Sequence, residues 1–344
     1  MKTKINIQSR IAKLSAILSI LLACWLFVKE TQAQDTQYSQ FYASPLYLSP
    51  SFAGGSDGSR LVLNYRNQWP EIPGAFVTYS VGLDHYFHNY NSGVGLLLFR
   101  DQAGSGNLAL TSANLLYSYN LQLNHEWFFR PGISFSYGQR TVDWEKQIFG
   151  DQLSFNAIAP STLTPIPIDK VQYFDASVSG LAFSETLWFG LTVDHLMTPN
   201  QSFTAGESSV PMKFSVFGGK KFPFGFSLGK LHEESISISY LYKRQDKFNQ
   251  FDLGVYWSKL PISVGLLYRG IPIFNNSKNG YFNNDALVLV AGLKTDYISF
   301  GYSYDFTVSR LSTSTGGSHE ISLIFLFNQG PPTKKQGKIP CPDF

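Results

Sequence analysis

From residue 60 to residue 327 the chain exchanges apolar for polar residues at every second position, in run after run. The clearest run is 297–308. There Ile298, Phe300, Tyr302, Tyr304, Phe306 and Val308 share one parity, while Ser299, Gly301, Ser303, Asp305 and Thr307 take the other. Ile236, Ile238, Tyr240 and Tyr242 repeat it, as do Phe251, Leu253, Val255 and Trp257, and residues 109–123 follow it for most of their length. In 77–84, Val77, Tyr79, Val81 and Leu83 oppose Thr78, Ser80, Gly82 and Asp84. Period two places one set on each face of a strand. The whole pattern predicts about 14 strands of roughly ten residues, the length that crosses a bilayer at a tilt.

The spacing of the breaks carries a second signal. Tight breaks fall at Ser184-Glu185, at Lys259-Leu260-Pro261 and at Thr295-Asp296, whereas long polar ones fall at 143–168, 198–209, 271–283 and 310–318. They largely alternate, as short periplasmic turns alternate with longer outer loops in membrane barrels. The connection 223–234 breaks the rule: it belongs among the short turns and is long, which implies a misplaced strand or a protrusion on the periplasmic side. The expected fold is therefore all-β, a transmembrane outer-membrane β-barrel of about 14 antiparallel strands. An even strand number puts both chain ends in the periplasm. A soluble propeller or sandwich also alternates, but aromatic faces opposite Ser, Gly and Asn faces suit lipid on one side and a polar lumen on the other. Glycines on the polar face, such as Gly82, Gly254 and Gly301, leave room for packed loops inside.

Composition agrees. Hydrophobic residues make up 44% of the chain and aromatics 16%, yet charged residues only 15%, well below the soluble norm. Lys2, Lys4, Arg10 and Lys13 precede an apolar run from Leu14 to Val28 that ends in small residues before Gln34, the form of a signal peptide over 1–33. That segment holds five of the 27 Lys/Arg and one of the 24 Asp/Glu, so 22 basic residues face 23 acidic ones in the remainder. The apparent basicity thus belongs to the leader, and no nucleic-acid partner is implied. Of the two cysteines only Cys341 lies outside the leader, which leaves no internal disulfide to hold the fold.

Between leader and barrel, residues 34–59 are aromatic and proline-rich, without alternation. They are too apolar to float free, and are expected to plug the lumen or cover its periplasmic rim, with Tyr38, Phe41, Tyr42, Leu46, Tyr47 and Phe52 as the filling side chains. Residues 60–327 form the barrel, and 328–344, rich in Pro and Lys, an extended periplasmic tail.

Candidate chemistry is sparse. Gly54-Gly55-Ser56-Asp57-Gly58 spells a nucleophile elbow, but a strand rather than a helix follows it, so a turn is the better reading. The six histidines fall in no metal-ligand spacing. No catalytic residue, cofactor or metal is expected. Arg66, Gln68 and Trp69, with Pro70 and Pro73 behind, suit either an interfacial girdle or a binding site. Trp144, Ile148 and Phe149 open the longest outer loop, where they could cap the barrel or grip a partner. Arg66, Trp69, Trp144, Ile148 and Phe149 are therefore the candidate partner-binding residues.

Several blocks resemble the PorP/SprF family of outer-membrane proteins of the type IX secretion system of Bacteroidetes. The first is Gln37-Tyr38-Ser39-Gln40-Phe41-Tyr42, followed by Pro45-Leu46-Tyr47-Leu48-Ser49-Pro50-Ser51-Phe52-Ala53-Gly54. The most specific is Leu63-Asn64-Tyr65-Arg66-Asn67-Gln68-Trp69-Pro70 with Ile72-Pro73-Gly74-Ala75-Phe76. Arg100-Asp101-Gln102-Ala103-Gly104, the 144–152 stretch, Val193-Asp194-His195-Leu196, the closing His319-Glu320-Ile321-Ser322-Leu323 and Cys341-Pro342-Asp343-Phe344 extend it along the chain. The resemblance implies a non-enzymatic barrel in the outer membrane that supports export and surface attachment of a cognate secreted protein or adhesin. It implies as partners the C-terminal sorting domain of that protein, the periplasmic ring lipoproteins of the system and outer-membrane lipid, and in some members a part in gliding motility. An ordinary channel or transporter for small solutes is the alternative expectation.

Overall fold

The computed structural model describes residues 35–104, 106–153, 158–159, 161–204, 206–224, 234–271, 283–308, 315–329 and 339–341. The expected signal peptide lies outside them. Fourteen strands account for the alternating runs: β1 Ser59–Gln68, β2 Phe76–Phe87, β3 Ser92–Ala103, β4 Leu108–Tyr119, β5 Phe128–Thr141, β6 Lys170–Phe183 and β7 Leu187–Asp194. They continue with β8 Lys213–Phe224, β9 Glu234–Gln245, β10 Phe248–Lys259, β11 Ile262–Ile271, β12 Asn283–Lys294, β13 Ile298–Thr307 and β14 Ser318–Phe327. After Asn120, Leu121 and Gln122 extend the β4–β5 ladder by two pairs.

Each strand pairs antiparallel with the next in sequence, and β14 pairs back onto β1, with Ser59 opposite Phe327 and Gln68 opposite Ser318. The sheet therefore has no free edge, which is what a β-structure needs inside hydrocarbon. Ser59 and Phe327 share one rim with the short turns at 184–186, 260–261 and 295–297, and the loops 142–169 and 195–212 lie on the other. By the usual arrangement the first rim is periplasmic and the second faces outward. Strands β8 and β9 end and begin at Phe224 and Glu234, so no strand was misplaced there; the connection 225–233 itself lies outside the described residues.

Alternation sets the two faces. On β2, Thr78, Ser80 and Asp84 point inward and are buried, while Tyr79, Val81 and Leu83 point outward and are 42–49% exposed, an apolar surface suited to lipid. The inside departs from the uniformly polar lumen expected from the Ser, Gly and Asn faces. On β6 to β12 several inward positions are large and apolar: Leu181, Trp188, Phe217, Leu241, Tyr256 and Leu267 are all buried. They can be apolar because they do not meet water. Phe41, Tyr42, Leu48 and Phe52, from the segment that precedes β1, form one cluster with them.

Candidate functional site

Residues 36–56 precede the first strand and belong to no strand connection. Two prolines and a series of serines break them into single helical turns at Phe41–Ala43, Pro45–Leu48 and Pro50–Phe52. Pro45 and Pro50 stand at the first position of their turns, where the missing N–H costs nothing, and the Ser49 hydroxyl accepts from Ser51 N–H at the start of the third. Of the six side chains expected to fill the lumen, Tyr38, Phe41, Tyr42, Leu46 and Phe52 are 2–8% exposed. Tyr47 is half-buried, edge-on to Tyr38 and stacked on Phe99 of β3. Tyr38 donates to Ser80 on β2 at 2.9 Å, and Tyr42 to the Gly218 carbonyl on β8 at 3.2 Å.

Charged groups on the inner wall hold the segment at both of its ends. At its end toward the outer rim, the Ser39 and Gln40 N–H groups donate to the Glu320 carboxylate at 2.7 and 2.9 Å. Glu320 is paired with Arg66 at 3.0 Å, and Arg66 with Asp305 at 2.9 Å; Arg269 joins Asp305 at 3.0 Å. At the periplasmic end Asp84 accepts from the Gly54 N–H at 2.7 Å and pairs with Arg60, which also donates to the Phe52 carbonyl at 3.0 Å. From the facing wall Arg130 donates to the Ala53 and Gly54 carbonyls at 2.8 and 2.9 Å. Charges buried this deeply are retained only with partners, and here part of the partnership is backbone of the segment.

The tail also returns to the barrel. Ile339 and Cys341 pack against the apolar lumen cluster and Pro340 is buried, so this part of residues 328–344 does not run off into the periplasm as expected. Ile339 gains more from the apolar wall than from water.

The candidate partner-binding residues divide. Arg66 is not at a surface at all: even positions of β1 face inward, and its side chain is 2% exposed within the ion network. Trp69 is half-buried, donates its N–H to the Gly317 carbonyl at 2.8 Å and meets Phe76 edge-on, tying the 69–75 loop to the start of β14. Trp144 lies between Phe149 and Phe203 and donates from its indole to the Ile168 carbonyl at 3.1 Å, which joins the 142–169 loop to the 195–212 loop. Arg140 secures the same junction through Gln201 at 3.0 Å. Ile148 remains 56% exposed on top of it.

Glu320, Asp305, Arg269, Asp84 and Arg130 were not singled out in the sequence. A signal for them exists: each is an ionisable residue within a strand, on the parity that faces inward, in a chain with few charges. The Gly54 to Gly58 stretch is a turn, with Gly54 at φ +62° and Ser56 donating to the Gly58 carbonyl. Among the described residues no three His, Cys, Asp or Glu come together as metal ligands.

The sequence profile described as type IX secretion system membrane protein PorP/SprF matches residues 30–325. The chain belongs to this family. PorP/SprF membership and the closed barrel make it an outer-membrane component of the type IX secretion system. Search of curated proteins gives no match. Among solved structures, the outer membrane protein Omp33 of Acinetobacter baumannii is similar at TM-score 0.43 and 9% identity, over 80% of this chain and all of that one. The TodX deltaS2S3 mutant, a monoaromatic hydrocarbon channel, is similar at TM-score 0.43 and 9% identity, covering 81% and 92%. KdgM porin follows at 0.37 and 10%, covering 78% and 99%.

Proposed function

We propose that this PorP/SprF barrel is a docking platform: its outer loops hold the C-terminal domain of a cognate secreted protein, and its periplasmic rim meets the ring lipoproteins of the secretion system. The barrel supports export and surface attachment of that cargo, with gliding motility as a downstream use where the cargo is an adhesin. No chemistry is required of it. The observation that carries this reading is the joined outer platform of the 142–169 and 195–212 loops, braced by Trp144 and Arg140, from which Ile148, Leu163 and Ile166 stand 56–92% exposed. Apolar side chains fixed on a braced loop, clear of the lipid belt, suit a macromolecular partner. The lumen favours a platform over a conduit, since residues 36–54 act as a plug of aromatic and aliphatic side chains pinned by buried charges. Extended edges of a cargo domain could add to loop backbone as an extra strand.

The test is site-specific photocross-linking in cells with the whole secretion system. Probes at Ile148, Leu163 and Ile166 are expected to trap a secreted protein, and a probe at Tyr90 on the opposite rim a ring lipoprotein. Adducts from the Tyr90 rim alone would refute docking by the loops.

A further inference from the structure

The β1–β14 ladder is where the two ends of the barrel meet. Its contacts join residues about 250 positions apart, as Arg66 and Glu320 show with a separation of 254. Such pairings carry a high closure entropy, and until they form both strands are open edges. Arg66 and Glu320 stand opposite each other in this ladder, both turned inward. Their side chains are 2% and 0% exposed.

We propose that the N-terminal segment is the clasp of this seam: Ser39 and Gln40 bind both closing strands at once, so that filling the lumen and closing the barrel are one cooperative event. This goes beyond the docking role and does not depend on any cargo.

Ser39 uses everything it has. Its N–H goes to Glu320 on β14, and its hydroxyl donates to Asp305 on β13 at 2.7 Å. The same oxygen accepts from Arg66 on β1 at 2.7 Å and from Arg269 on β11 at 2.6 Å. One donor and two acceptor sites are all a serine hydroxyl offers, and all three are taken by charged groups from different strands. Gln40 adds bonds on the β13–β14 side. Its amide NH2 donates to the Glu320 carbonyl at 3.1 Å and to Ser303 at 3.2 Å, and its amide oxygen accepts from Ser322 at 2.8 Å. A Cβ on Gly301 would lie 2.4 Å from that oxygen, so the wall is cut away for it. On the β1–β2 side, Asn64 donates to the Ala43 carbonyl at 3.2 Å and accepts from Ser80, which in turn receives the Tyr38 hydroxyl. The segment therefore spans the seam with direct bonds to both of its strands and to the neighbour on each side. A filler held by shape alone would not need its hydroxyl and backbone N–H groups spent on the two closing strands.

Hydrogen exchange read by mass spectrometry on the full-length protein in detergent separates clasp from filler. In Ser39→Ala, amides of 61–66 and 320–324 are expected to exchange roughly tenfold faster, the effect of losing one well-made bond network. The β4–β5 ladder, which makes no bond to Ser39 or Gln40, is expected to keep its protection. Ser39→Thr retains the hydroxyl and is expected to behave as the unsubstituted protein. Arg130→Met removes the bonds from the facing wall to Ala53 and Gly54 and is expected to leave seam amides unchanged. Failure of Ser39→Ala to assemble, with Ser39→Thr assembling normally, would also support the clasp. Seam exchange unaltered in Ser39→Ala, acceleration spread evenly over all strands, or an equal seam effect from Arg130→Met would overturn it.

Discussion

Glycine does much of the work of fitting a peptide inside this barrel. A Cβ on Gly93 of β3 would fall 2.0 Å from the Ala53 carbonyl oxygen, and one on Gly132 of β5 would fall 2.4 Å from Ser51 N. Both neighbours are backbone of the lumen segment and neither can swing away. Gly93→Ala is expected to destabilise the folded protein by about 1–3 kcal/mol through overpacking, read as a lower denaturant midpoint in lipid or detergent. Gly150→Ala is the contrast: a Cβ there meets nothing within 4 Å, and the change is expected to stay within about 0.5 kcal/mol. The position of such glycines on the inward parity was legible in the sequence. What each one faces was not. Gly82 meets Leu46 and Gly301 meets Gln40, as a packed segment requires, but Gly254 makes room for the Tyr256 ring two positions along its own strand. Arg66 carries the same lesson in reverse, since its parity already pointed inward while the neighbouring Trp69 suggested a surface.

Among the elements, the outer loop 142–169 is stapled internally by one carboxylate. Asp151 accepts from the backbone N–H of Leu163 and of Thr164 and from the Thr162 hydroxyl, closing a turn between distant parts of the loop. The Leu163 bond, then the Thr162 bond, hold its pKa below the ordinary 3.8. A carboxylate whose folded value is depressed contributes its full stabilisation above the unfolded value, and loses it as pH falls through the folded one. The staple is therefore complete at neutral pH and opens only in acid, below about pH 4. A spin label introduced by Leu163→Cys is expected to gain mobility as the pH is lowered from 7 to 3. In an Asp151→Asn background it is expected to be mobile throughout; mobility independent of pH in the unsubstituted background would refute the staple. Loop length and its aromatic content could be seen in the sequence. The pairing of Trp144 with Phe203, 59 positions away, could not, because loops carry no periodic pattern to align them.

For the whole molecule the decisive property is whether the lumen conducts. With residues 36–54 bonded to walls on both sides, the purified protein is expected to pass no steady current in a planar bilayer. A steady ohmic current from the unsubstituted protein would favour the solute-channel reading over the platform. What the sequence by itself determined is the barrel: strand number, the two faces, the short and long rims and the aromatic segment that stands apart. All of these follow from period two and from turn residues, which act over a few positions and so can be read locally. The tertiary structure alone decided how that segment is held, which half of the lumen is dry, and that part of the tail returns to it. Ser39 and Glu320 are 281 positions apart, and nothing short of closing the ring of strands brings them within a hydrogen bond.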